Sequence, residues 1–158
     1  MGFVLLLFFA VACGARQIEG KVVAVADGDT VTVVDAAKIQ HRIRLEGIDA
    51  PEKKQPFGQR SKASLSDLVF GQPVTVLTEK KDRYGRNVGR ILIGSLDVNL
   101  LQIRRGMAWF YRRYAGELSA SDRRLYDEAE MAASAARVGL WSHPNPQPPW
   151  EFRRAGKK

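Results

Sequence analysis

Three short motifs gather the residues able to do chemistry: Asp27-Gly28-Asp29-Thr30, Arg44-Leu45-Glu46-Gly47-Ile48-Asp49-Ala50-Pro51-Glu52, and Asp82-Arg83-Tyr84-Gly85-Arg86. In the first, Asp27 and Asp29 flank a glycine, so both carboxylates can converge on one side of a turn and offer oxygens to a hard cation. In the second, Asp49 could be a further metal ligand, joined by the Ala50 main-chain carbonyl where Pro51 breaks the strand. Glu52 could orient and deprotonate a water, and Arg44 could hold the phosphate under attack. The third is a tight loop that presents Arg86, whose planar guanidinium can donate two parallel hydrogen bonds to phosphate oxygens; Arg83 is expected to face solvent. Cation-holding carboxylates, a base and two guanidiniums are the equipment of phosphodiester hydrolysis. Each motif alone also reads as an ordinary charged turn. Only the combination points to a site.

The elements that position these residues follow from periodicity. Ile18 to Ala26 and Thr30 to Val34 are β-branched runs separated by the Asp27-Gly28-Asp29 turn. Ile39 to Leu45 alternates, with Ile39, Ile43 and Leu45 on one face. The period turns helical from Phe57 to Phe70, and Gly71 ends that helix. Val74 to Thr78 and Val88 to Ile93 read as two more strands, joined through the Asp82 to Arg86 loop. Asp97 is a predicted N-cap for a helix from Val98 to Arg105. A third helix is expected from Ser121 to Val138, capped by Ser121 or Asp122, with Leu125, Ala129, Ala132, Ala133 and Ala136 as its apolar stripe. This order predicts an α+β protein, mainly β: a five-stranded OB-fold barrel with three α-helices, a fold whose open face binds nucleic acids and sugars.

Composition agrees with a polyanion as partner. Lys+Arg 25 against Asp+Glu 17 gives a net charge of +8, which draws nucleic acid at low salt, although basic charge also serves solubility. At 158 residues the chain is one domain with room for a real core. A single cysteine, Cys13, excludes an internal disulfide and a cysteine zinc site. His41 and His143 lie far apart, without metal-ligand spacing, and no Gly-x-Ser-x-Gly elbow supports a serine triad.

The first 15 residues read as an address rather than as fold. Phe3 to Ala12 is an apolar run too short to span a bilayer but of signal-peptide length, and Ala10-Val11-Ala12 matches an A-x-A cleavage pattern. Cys13 then resembles the acylated cysteine of a bacterial lipoprotein, or belongs to a discarded signal or lies just past an ordinary cut; the sequence leaves these open. The expectation is an exported bacterial protein, periplasmic, extracellular or lipid-anchored. Its domain would span 16–142, and 143–158 would form a proline-rich basic tail that lies on the surface or is disordered.

The series DGDT, RL-x-GIDAPE and D-R-YGR, followed by N-x-x-L-x-x-x-G and GLW, resembles the staphylococcal nuclease family over about Ile18 to Trp141. The resemblance implies an OB barrel and Ca2+-dependent cleavage of DNA and RNA that leaves 3′-phosphate ends. It further implies Asp29 and Asp49 as calcium carboxylates, the Ala50 carbonyl as a ligand, and Asp27 acting through water. Arg44, Glu52 and Arg86 match the catalytic trio. Tyr114 fits one nucleotide-stacking position, while Arg112 falls at the other with Tyr111 nearby. No stable protein partner is implied, and a monomer is expected. The rival expectation is a non-catalytic OB-fold module that binds nucleic acid at the cell surface. Retention of the whole trio argues against it.

Overall fold

The computed structural model describes residues 16–156, so the signal segment, its cleavage pattern and Cys13 lie outside the described residues. Three strands open the fold as a meander: β1 (Arg16–Asp27), β2 (Thr30–Asp35) and β3 (Gln40–Leu45). A two-residue strand, β4 (Ile48–Asp49), and helix α1 (Gly58–Val69) lead to β5 (Pro73–Lys81) and β6 (Asn87–Ile93). Then come β7 (Leu96–Asp97), α2 (Val98–Arg104), β8 (Trp109–Phe110), α3 (Ala120–Ala135) and α4 (Pro149–Ala155). The main sheet runs β3-β2-β1-β5-β6-β7, and a parallel pairing of β3 with β6 closes it into a five-stranded barrel.

Closure depends on β1, which pairs with β5 through Arg16–Lys21 and with β2 through Gly20–Asp27. Register shifts between Val22 and Ala24 and between Val25 and Asp27 bend the strand around the barrel. Gly20 sits where both partners meet it: a Cβ there would stand 2.4 Å from the Val34 carbonyl oxygen. Alternation then fills the interior with Val22, Val31, Val33, Ile43, Leu45, Val76 and Ile91, capped by Leu65 and Val69 of α1 and Ile103 of α2. The same alternation turns Arg44 away from Ile43 and Leu45, outside the barrel core.

Two expectations about faces are corrected. Ile39 does not share the inner face with Ile43 and Leu45; it precedes β3, in a turn where its N–H donates to Asp35 Oδ1 at 2.9 Å, and it is 56% exposed. On α3 the buried face is Tyr126, Ala129, Glu130 and Ala133, whereas Leu125, Ala132 and Ala136 face solvent. Polar tips explain the rotation. The Tyr126 hydroxyl donates to the Asp97 carboxylate at 3.1 Å, and Glu130 accepts from the Phe110 N–H at 2.8 Å, so both can be buried. The α3 cap is Ser119, two residues before the nearer expected cap, while Asp97 caps α2 as expected. Helices α1, α2 and α3 fall in the three predicted regions. The fourth, α4, lies in the segment expected to be a tail.

Candidate active site

The three motifs meet at one end of the barrel. The Asp27–Thr30 turn joins β1 to β2, and Thr30 pairs with Arg44 across β2 and β3. Gly28 is required by packing: a Cβ there would meet Ser61 Oγ at 1.8 Å and the Ala50 Cβ at 2.8 Å. The parallel closure sets Arg44 beside Val88, so Arg86, just before β6, emerges at the same rim.

Arg44 organises the centre. Its Nη1 donates to the carbonyls of Leu45 and Ile48 at 2.8 and 2.9 Å. Its Nη2 donates to Asp49 Oδ1 at 3.0 Å and lies 3.3 Å from Asp29 Oδ2. Asp29 also accepts from the Ala50 N–H at 2.7 Å and from the Thr30 hydroxyl at 3.0 Å. Arg86 Nε donates to Asp82 Oδ2 at 2.7 Å, its Nη1 reaches Thr30 Oγ1 at 3.4 Å, and its guanidinium covers the exposed Tyr84 ring. Asp82 Oδ1 meanwhile accepts from the N–H groups of Tyr84 and Arg86, which shapes the loop that aims Arg86. Arg83 is exposed, as expected.

One residue of the site was not anticipated. Arg153 of α4 donates through Nη2 to Asp49 Oδ2 at 2.7 Å and through Nη1 to Glu52 Oε1, also at 2.7 Å. The sequence held a signal for it. Pro148-Pro149 followed by Trp150-Glu151-Phe152-Arg153-Arg154 places proline at a helix start, an acid in the first turn and arginines in the last, and carries a tryptophan too apolar for a solvated tail.

The electrostatics favour a further cation here. Burial, together with the negative charge of Asp29, pushes the Asp27 carboxyl up to about 6. Burial likewise raises Asp49, against the hydrogen bond from Arg153 and the charge of Arg44, with Asp29 adding to the rise. Asp27 and Asp49 thus remain short of positive charge. Among the described residues no three His, Cys, Asp or Glu side chains converge as a ready metal cage. A hard cation would therefore need main-chain, water or substrate oxygens besides Asp29 and Asp49. An all-oxygen donor set of that kind fits Ca2+ chemistry.

Aromatic residues flank the centre. Tyr111 and Tyr114 meet edge to face at 5.1 Å, and Tyr114 is 43% exposed. One face of Tyr111 is covered by Trp150, stacked at 5.4 Å and 13°. Arg112 points away, paired with Asp127 and Glu130 of α3.

Fold and site together define an OB-barrel protein whose mouth combines buried carboxylates with arginines. Comparison with known proteins narrows this. Residues 42–143 match the family model described as staphylococcal nuclease homologue. An uncharacterized endonuclease of Haemophilus influenzae is 39% identical over 97% of this chain and 84% of its own. A micrococcal nuclease of Shigella flexneri is 41% identical over 89% of this chain and 83% of its own. A staphylococcal-like nuclease of Arabidopsis thaliana is 40% identical over 72% of this chain but 33% of its own. The chain belongs to the staphylococcal nuclease family, a family of nucleases.

Proposed function

We propose that the protein is an exported, Ca2+-dependent endonuclease that hydrolyses the phosphodiester bonds of DNA and RNA. The observation that carries this reading is the shared network in which Arg44 meets Asp29 and Asp49 while Glu52 stands one guanidinium away. Asp29, Asp49 and the Ala50 carbonyl would hold Ca2+, with Asp27 acting through water, and the ion would neutralise phosphate charge. Glu52, the most exposed carboxylate of the network, takes the proton from the attacking water at Oε. Arg44 and Arg86 donate to phosphate oxygens and strengthen those bonds as negative charge builds in the transition state. The exposed Tyr114, with Tyr111 beside it, stacks on bases, which tolerates any sequence and suits a nuclease of broad taste. Every named side chain comes from one copy, so a monomer suffices.

Digestion of plasmid DNA and of RNA, with Ca2+ and with EGTA, tests the reading in wild type, Glu52→Ala and Arg86→Ala. Digestion should require the cation, and each variant should lose at least ~10²-fold in rate. Chelator-insensitive digestion, or variants as active as wild type, would sink the mechanism. Tight, salt-dependent binding without cleavage would point to a non-catalytic module instead. Export rests on residues 3–12 and Ala10-Val11-Ala12. Mass spectrometry of the mature N-terminus would distinguish an acylated Cys13 from a cut that removes it or leaves it unmodified.

A further inference from the structure

Arg153 lies outside the residues matched by the family model, yet it is the only side chain among the described residues that donates to the Glu52 carboxylate. Glu52 needs such a partner. Its side chain is 40% exposed, and among the described residues the carboxylate of this glutamate of three rotatable bonds has no other hydrogen bond or ion pair to set its direction. Asp49 does not share this freedom: its side chain is 3% exposed and gripped by Arg44 as well. A guanidinium fork reaches both carboxylates at once and transfers the order of the buried one to the exposed one.

The helix that carries Arg153 is seated rather than loosely laid. Gln55, itself buried, accepts from the Glu52 N–H at 3.0 Å and donates to the Gln147 carbonyl at 2.6 Å, so one amide ties the Glu52 loop to the lead-in of α4. Pro149 is buried, and Trp150 packs between Tyr111 and Trp109.

We propose that Arg153 is a positioning residue, which ties Glu52 to the buried Asp49 and holds its carboxylate where it meets the attacking water. The proposal rests on the reading of Glu52 as general base. Kinetics of the full chain with Ca2+ should be measured for wild type, Arg153→Gln, Arg153→Lys, Glu52→Gln and the Glu52→Gln/Arg153→Gln double variant, with melting curves to confirm folding. Arg153→Gln should lower kcat on the order of 10- to 10²-fold, the scale of a misplaced catalytic group, and leave KM nearly unchanged. Arg153→Lys, able to meet one carboxylate but not both, should fall between and serves if the glutamine variant folds poorly. In the Glu52→Gln background the second change should cost almost nothing, because its effect passes through Glu52. Without any metal, 13C relaxation of the Glu52 carboxyl carbon should show restricted motion in wild type that Arg153→Gln releases. Unchanged kcat in both Arg153 variants, or costs that multiply in the double variant, would overturn the proposal alone. A raised kcat would also overturn it and mark α4 as a cover. Wild-type rates in Glu52→Gln would instead bring down the proposed function, and this proposal with it.

Discussion

Arg44 is the residue through which architecture and chemistry are joined. Two of its hydrogen bonds go to main-chain carbonyls and two contacts go to buried aspartates, so it holds the Leu45–Asp49 turn together while presenting a guanidinium to the mouth. Arg44→Ala should therefore fail twice. Cleavage should fall at least ~10²-fold, and stability should fall by roughly 3 kcal/mol, because Asp29 and Asp49 are left with less compensation in a buried place. Urea denaturation beside rate measurements checks this. A fall in rate with unchanged melting would mean that Arg44 only touches substrate. That Arg44, Asp29 and Asp49 meet at one barrel mouth was legible in the motifs, because strand order brings the Asp27–Thr30 turn beside Arg44. The helix of Arg153 was signalled by Pro148-Pro149 and the charges that follow, but its seat on Glu52 was not, because that contact spans about a hundred residues and leaves no local pattern.

Among the elements, the barrel strands were legible and the faces of the helices less so. Strand alternation has a period of two, so one buried position fixes the rest. A helical stripe of alanines is ambiguous by one residue, and on α3 the choice was made by the polar tips of Tyr126 and Glu130. Two element-scale predictions follow from contacts between units. Gly28→Ala forces a methyl against Ser61, whose hydroxyl donates to the Met107 carbonyl at 2.5 Å, and should cost about 1–3 kcal/mol in urea melts by prying α1 from the turn. Asp122 at the start of α3 pairs with Arg90 of β6. Burial raises its carboxyl, but the hydrogen bonds from Arg90 and Ser119 outweigh this and hold it below the usual aspartate value. A depressed folded value adds stability above the unfolded value and forfeits it as pH falls through the folded one. Asp122→Asn should thus cost about 0.5–1 kcal/mol at neutral pH, and the difference from wild type should vanish in acid. An equal deficit at both pH values would show that the pair's charge is not the cause.

For the whole molecule, the charge of +8 sets how substrate is met. Binding of a chelator-treated protein to DNA should weaken steeply with salt, the logarithm of affinity falling in proportion to the phosphates contacted, with a slope of about −0.9 per phosphate on duplex. A flat dependence, measured by fluorescence anisotropy across a salt series, would rule out a basic footprint as the source of affinity. Basicity was plain from composition, but its geometry was not, because many of the arginines serve internal pairs: Arg90 with Asp97 and Asp122, Arg112 with Asp127 and Glu130.

The seat of α4 also makes the barrel and the ion pair at Glu52 separable. Every barrel strand, α2 and α3 precede α4 in the chain, and α4 pairs with none of the strands. A single proteolytic cut in the 143–147 lead-in would therefore leave each strand with its partners, and Arg44, Glu52 and Arg86 on the barrel, while detaching the guanidinium that bridges Asp49 and Glu52.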